Sequence, residues 1–500
     1  MSTTKVTRRE RILALIAALL GWMFDGMEMG LFPLVGKDAL CDLLGEYSIE
    51  QVNNLYGVII ACFLVGAATG GVLFGWIGDK VGRVKAMTLS ILVYSLCSGL
   101  SAFSTSVEQL AILRFIGALG MGGEWALGVA LVMELWPDTS RVWLAGTIGA
   151  FGNLGYTICG IVALILNSID KNDTLIYLTT LGINQTWATK LVTYNYWRLI
   201  FLAGAIPAFL TVFIRLAVPE STKWLISKNT FIHNPISTRT SIIYILMGGI
   251  AGCALVYVWY LPDNTINIYY KLTITPIILV IIVLSYLRPV LKYDPETRAK
   301  EQTNKDILIR MLIGAGLSGV PLLGTWAGLM WAYMWVNDLP NGQNPYTKPY
   351  MQIISSVGAT IGCVSGAILA EKIGRKLSYV ILCMLTILIM LVFYRCNTNF
   401  DYFFLLSMGS FGFVSASFYG WLPLYLPELF PTKIRTTGQG FSFNFGRIIA
   451  AIGNLQMSKL LAAFDNNYIN AGSLITIVYI AGIILVITIA PETKGKSLPD

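Results

Sequence analysis

Asp25 and Glu28 lie one turn apart, halfway along RILALIAALLGWMFDGMEMGLFPLVG, an apolar run long enough to cross a bilayer. A charge at that depth costs at least about 2.5–3.5 kcal/mol on insertion scales, so acids kept there either do chemistry or hold helices together. Arg114 sits about five residues inside the outer end of a later run, roughly 8 Å deep, and Asp25 about eleven residues inside its own, roughly 16 Å. A guanidinium pointing inward spans that difference. Burial favours a neutral carboxyl and an adjacent arginine an ionised one, so parting such a pair favours proton uptake and re-forming it expels the proton. Read as static, the same pair only positions two helices. Glu28, one turn outward on nearly the same face, serves as a second proton stop or as a hydrogen-bonding substrate ligand.

Glu124 and Trp125 follow Arg114 along the same run and reach the bilayer midplane. Glu124 has no opposite charge nearby in sequence, which fits a proton carrier, a ligand or a structural acid. The small residues around it (Gly117, Ala118, Gly120, Gly122, Gly123, Gly128) suit close helix packing. GMGG is not a nucleotide loop, since neither a preceding strand nor a P-loop lysine accompanies it. Arg447, in GQGFSFNFGRIIAAIGN, also falls near midplane, with Gln439, Asn444 and Asn454 on its helix. Its planar fork suits a substrate carboxylate, and pairing with Glu124 or Glu28 is the alternative. Aromatics crowd two further runs. Trp326 and Tyr419 are the candidates for a cavity wall, whereas Trp335 reads as an interface anchor.

Of the 500 residues 55% are hydrophobic and 12% charged, with a mean hydropathy of +0.67. That excludes a large soluble enzyme, for which roughly 25% charged residues is usual. The first run is too long for a signal peptide and lacks a small-residue cleavage site. Cysteines fall singly, most within apolar runs and Cys41 and Cys396 in expected loops, with no CxxC, so neither a disulfide framework nor a metal site is expected. The lone His233 lies in a polar loop, and no nucleophile motif or His pair indicates catalysis. No cofactor is expected.

Spans are expected near 12–36, 51–77, 86–104, 109–136, 142–168 and 198–218, then near 307–336, 351–370, 377–395, 401–426, 437–464 and 471–490. Two more, SIIYILMGGIAGCALVYVWY and LTITPIILVIIVLSYL, lie between the sets. This predicts an all-α membrane protein of about 14 helices: a bundle over 1–218, a linker with two inserted spans over 219–306, and a second bundle with a short tail over 307–500. Most lysines and arginines fall on one side of this topology, which places both termini in the cytoplasm of a plasma (inner) membrane protein. The net charge of +8 is therefore topology and not a nucleic-acid footprint.

The halves repeat. GWIGDKVGRVKAM is echoed by AILAEKIGRKLSY, and MELWPDTSR by PELFPTKIR, so Asp79, Arg83, Glu134 and Arg141 fall onto Glu371, Arg375, Glu428 and Arg435. Facing six-helix repeats build midplane sites in many secondary transporters.

These motifs resemble the major facilitator superfamily over the whole chain. Gly75, Asp79, Lys80, Gly82, Arg83 and Lys85 match its loop motif; the second copy has Ala367 where the first glycine belongs. RFIGALGMGGEW, WRLIF, PESTKWL and PETKG resemble tags of the sugar-porter and metabolite–proton symporter branches, and FDGME resembles the first-helix motif of sialate and aromatic-acid symporters. The resemblance implies two six-helix bundles with two extra central helices. It also implies an Asp25–Arg114 pair for proton coupling and a salt-bridge latch at the cytoplasmic face (Asp79/Arg83, Glu134/Arg141, Glu371/Arg375, Glu428/Arg435). Such pairs, if exposed, are worth only about 0–1 kcal/mol each.

The function expected is proton symport of a small organic solute, a carboxylate or sugar acid, by alternating access, in a monomer surrounded by lipid. Asp25, Arg114, Glu28 and Glu124 would handle the proton, and Arg447, Asn444, Gln439, Trp125, Trp326 and Tyr419 the substrate. A neutral-sugar symporter is the first alternative and a transporter-like nutrient sensor the second. The inserted helices need only join the halves.

Overall fold

A computed structural model describes residues 8–136, 141–221, 224–225, 238–261, 265–291, 304–432, 434–465, 467–496 and 498–499. Among them every regular element is a helix. The first bundle comprises α1 (Arg8–Leu44), α2 (Ile49–Val81), α3 (Arg83–Ser101), α4 (Val107–Leu135), α5 (Arg141–Ser168), the short α6 (Lys171–Thr180), and a sixth rod made of α7 (Gln185–Ala203) and α8 (Ala208–Ala217). The inserted spans are α9 (Thr238–Tyr260) and α10 (Ile268–Leu291). The second bundle opens with α11 (Asn304–Gly324), which runs through a π-helical stretch, Thr325–Leu329, into α12 (Met330–Trp335). It continues with α13 (Thr347–Ile373), α14 (Arg375–Cys396), α15 (Tyr402–Tyr425), α16 (Arg435–Ala463), and α17 (Tyr468–Ile475) followed by α18 (Ile477–Thr488).

Twelve described helices are long and apolar enough to cross a membrane. The other two expected spans exist as helices with a reason for their lower hydropathy. One is α7/α8, interrupted between Ala203 and Ala208. The other is α16, which carries Gln439, Ser442, Asn444 and Arg447 buried inside the protein. Within α7, Tyr194, Asn195 and Tyr196 take left-handed φ values of 47°, 56° and 59°, and the membrane rod begins just after them. Asp42 fixes that start, accepting from Trp197 Nε1 at 3.0 Å and pairing with Arg198 at 3.0 Å.

Polar residues set several helix starts. Ser48 accepts from Gln51 N at 3.1 Å, Ser106 from Gln109 N at 3.3 Å and Asp401 from Phe404 N at 2.9 Å, each satisfying a first-turn donor. The duplicated Gly-Arg pair has a backbone cause. Gly82 and Gly374 break α2 from α3 and α13 from α14 with φ of 123° and 98°, a region that side chains disfavour.

The bundles meet along two seams, α2 against α16 and α5 against α13. The inserted pair lies over the first seam, packing on α2 and also on α16. Tyr286 of α10 sits beside Gly248 and shares a 2.8 Å hydrogen bond with Thr69 of α2. Two sequence expectations change here. Cys41 lies in the buried last turns of α1, not in a loop. Trp335 is no interface anchor: it is buried against Phe393, Tyr394 and Phe404, with ring centroids 5.6, 5.3 and 5.9 Å away.

Candidate functional site

Between the bundles lies a cavity. Its walls come from α1, α4 and α5 on one side and α11–α13, α15 and α16 on the other. Asp25, Trp125, Trp326, Tyr419 and Arg447 all line it, joined by Trp22, Tyr156, Tyr333 and Phe443, which the sequence did not single out. The π-helical stretch carries Trp326, and its wide turn is braced by Tyr394, whose hydroxyl donates to Gly328 O at 2.7 Å.

Arg447 is 3% exposed. Its guanidinium stacks over Phe443, one turn back, at 5.3 Å. Its Nε and Nη1 have no hydrogen-bond partner among the described residues. The only carboxylate among its main electrostatic neighbours is Asp25, itself 7% exposed with Oδ1 unpartnered. No ion pair joins Arg447 to Glu124 or Glu28 among the described contacts.

Arg114 departs from the expected pairing. It binds Glu28, with a further contact to Glu28 O, and not Asp25. Phe63, Phe201 and Phe32 surround its guanidinium at 4.7, 5.5 and 5.8 Å. The cause is helical phase. Three residues turn a helix by about 300°, so Asp25 and Glu28 diverge by about 60° despite sharing a turn. Glu28 faces α4, and Asp25 faces the cavity.

Glu124 is fully buried, with both oxygens unpartnered. Tyr94 and Asp25 are its polar neighbours. Gly21 of α1 makes room for it, because a Cβ there would run into its carboxylate. Asn444 and Gln439 are not cavity residues. Asn444 is fully buried at the α2/α16 seam, donating to Gly122 O and Gly440 O at 3.0 Å, and Gln439 is buried in the same helix. Neither lines the cavity: at 100° per residue Asn444 lies about 60° and Gln439 about 80° round α16 from Arg447, on opposite sides of it. Among the described residues no three His, Cys, Asp or Glu side chains converge as a metal site.

Seven of the eight motif residues form two related clusters. Arg83 meets Asp79 at 3.1 Å and Glu134 at 3.4 Å, and donates to Thr432 O across the seam at 3.2 Å. Arg435 also reaches Glu134, at 3.5 Å, and Asp79 accepts from Thr437 N at 3.0 Å. Arg375 meets Glu371 at 3.0 Å and Glu428 at 2.8 Å. The side chain of Arg141 lies outside the described residues, as does His233. The expectation of exposed pairs is corrected for Arg83 and Arg435, 1% and 0% exposed, because the segments after the sixth and twelfth rods cover them, whereas Glu371 keeps half of its side chain exposed.

Those segments are the PES and PET tags, and the structure gives them a role that their repetition at both ends of the two sets could have signalled. Ser221 donates to Glu134, and Thr493 donates to Glu428 at 2.5 Å. Glu220 accepts from Arg83 N at 2.8 Å, and Glu492 from Arg375 N and Lys376 N at 3.0 Å, so each caps the helix after the Gly break. Burial pushes the Glu220 carboxyl up. Burial also acts on Glu492, but the backbone N–H groups of Lys376, Arg375, Lys494 and Thr493 outweigh it and hold that carboxyl below its ordinary value.

A depressed folded value stabilises the fold above the unfolded glutamate value, and this is lost as pH falls through the folded value. Glu492→Gln is therefore expected to lower the thermal unfolding midpoint at pH 7, with the gap to the parent protein narrowing as pH drops below the ordinary glutamate range. Equal midpoints at pH 7 would remove this cap from the stability account.

The profile of the Major Facilitator Superfamily matches residues 14–454. The niacin transporter NiaP of Acinetobacter baylyi is 23% identical over 487 residues, covering 96% of this chain and 93% of that protein. The sialic acid transporter NanX of Escherichia coli is 23% identical over 486 residues, covering 97% and 94%. Among solved structures, the proton:xylose symporter XylE bound to 6-bromo-6-deoxy-D-glucose superposes with a TM-score of 0.68 at 19% identity, covering 98% of each chain.

Proposed function

From the premise that this chain belongs to the Major Facilitator Superfamily, and so is a multi-pass membrane transporter of small organic solutes and not an enzyme, we propose that it carries an organic anion together with a proton. The observation that carries this reading is Arg447, a buried guanidinium with two unpartnered nitrogens facing the cavity. Asp25 is its counter-charge. Ionised, Asp25 competes with a substrate carboxylate for Arg447; protonated, it leaves the fork to the substrate. Proton and anion therefore enter together. Glu124 and Tyr94 extend the polar path inward from Asp25, while the Glu28–Arg114 pair joins α1 to α4. The cargoes in the relatives' names, niacin and sialic acid, are both carboxylic acids, which supports an anion.

In this reading the clusters around Arg83, Arg435 and Arg375 close the cytoplasmic side, both termini are cytoplasmic, and residues 1–218 and 307–500 rock about the site with 219–306 linking them. Trp125 of α4 and Phe443 of α16 stack at 3.9 Å and 7° beside the cavity. Opening toward the latch requires that stack to part.

The test is reconstitution into liposomes loaded with a pH-sensitive dye, challenged with glucuronate, gluconate, nicotinate and xylose under an acid-outside gradient. An acid in this panel is expected to carry protons inward above the leak of protein-free liposomes, and a protonophore is expected to abolish its accumulation. Proton entry with xylose alone would shift the reading to neutral-sugar symport, the alternative that the XylE fold keeps in view.

A further inference from the structure

The charges buried at the core of the membrane region do not balance in number. Glu28 and Arg114 neutralise each other among phenylalanines. Asp25 and Arg447 both line the cavity, each the other's leading charged neighbour. Glu124 is the acid left over. It does not line the cavity but lies inside the first bundle, 0% exposed, with neither oxygen hydrogen-bonded. From α1 it meets the backbone of Gly21, where a Cβ would overlap Oε1, and the carboxyl of Asp25 one turn further on. From α3 it meets the hydroxyl of Tyr94, itself fully buried. No lysine or arginine stands among its electrostatic neighbours.

An ionised carboxylate out of water needs a cation or several donors to hold its charge. Glu124 has one hydroxyl beside it. A neutral carboxyl has no such need, and its own O–H can be donated. In the empty carrier, ionised Asp25 balances Arg447, and an ionised Glu124 would add an unanswered charge next to a like one. In the loaded carrier the substrate carboxylate takes the guanidinium and Asp25 is protonated. No cation has been added, so an ionised Glu124 would again go unanswered. One protonation state of Glu124 therefore suits both halves of the cycle. Resting on the anion reading above, we infer that Glu124 is a resident acid, protonated throughout, and that loaded and empty carriers differ by one anion and one proton only. Transport then moves no net charge, so the pH gradient drives it and the membrane potential does not. Glu124 is a positioning residue, a neutral polar group that keeps a second fixed charge away from Asp25.

Proteoliposomes of the full chain test this with labelled nicotinate and labelled glucuronate in two arms. The first imposes about one pH unit, acid outside, with the potential held at zero by valinomycin and equal potassium. The second imposes about 100 mV, inside negative, with valinomycin and a potassium gradient at equal pH. At least one acid is expected to accumulate about tenfold in the first arm and to stay within about twofold of equilibrium in the second. A second proton per anion would give about 40-fold accumulation in the second arm, the factor that such a potential confers on one elementary charge. That result overturns the inference and leaves anion–proton symport standing. Accumulation of neither acid in the first arm overturns the anion reading, and the inference with it. Glu124→Gln copies the neutral acid in shape and charge. Whatever its turnover, its accumulation is expected to ignore the potential as the parent's does. A parent that answers the potential beside a glutamine variant that ignores it would make Glu124 a second proton site and overturn its resident role.

Discussion

Arg447→Ala is expected to lose anion binding by about 30-fold or more, since truncating one partner of a buried charged pair costs roughly 2–5 kcal/mol. The same change should not lower the thermal unfolding midpoint of the ligand-free protein. Arg447 keeps two nitrogens unpartnered and makes no described ion pair, so its removal takes away a desolvated charge that the fold does not recover in contacts. A residue kept for packing would behave oppositely, with a lower midpoint and nearly unchanged affinity. Arg447→Lys should restore little, because an ammonium cannot offer the planar, two-pronged geometry of the guanidinium. Titrating the acid that drives the strongest proton entry into liposomes into all three proteins, with midpoints measured on the same samples, checks both halves. Loss of binding accompanied by a collapse in midpoint would count against the clamp.

Asp25→Asn should separate transport from its driving force. For one anion moving with one proton, each pH unit of gradient supports about tenfold accumulation, the factor that 1.4 kcal/mol represents. An asparagine cannot take up and release that proton, so accumulation should fall to equilibration while exchange of labelled for unlabelled substrate persists. Parallel uptake and exchange measurements in the same proteoliposomes give the answer. If the variant still concentrates substrate under an acid-outside gradient, Asp25 is not the coupling residue, and Glu124, buried beside it with both oxygens unpartnered, becomes the group to change next.

Much of the architecture was legible because it is written in composition. Apolar length marks the spans, basic residues mark one face, and the echo of Gly82-Arg83 in Gly374-Arg375 marks the duplication, with a positive φ at both glycines explaining why the residue type recurs. The pairing of buried charges was not legible. Depth along a helix can be counted from sequence, but the direction of a side chain depends on phase and on the neighbour it meets. That is how Arg114 came to Glu28 and left Asp25 to the cavity. Asn444 and Gln439 share a helix with Arg447, yet neither lines the cavity, and Asn444 is spent on Gly122 O of α4. The latch offered a subtler signal. Glu220 with Ser221, and Glu492 with Thr493, are visible as a repeated tag, but that they cap α3 and α14 and cover the arginines appears only when loop and helix are brought together.

The inserted helix pair makes the two seams unlike. Over the α2/α16 seam the bundles are dressed in protein, and the Tyr286–Thr69 bond fixes that covering to the first bundle while α16 meets it by packing. Among the described residues nothing covers the α5/α13 seam in the same way: Trp143, Ile161 and Ile165 on one helix, and Val357 and Ile361 on the other, are exposed. Under the proposed rocking motion, lateral pressure and acyl-chain length would act on one flank and be buffered on the other. The protein's turnover should carry the imprint of its lipid bilayer chiefly through α5 and α13.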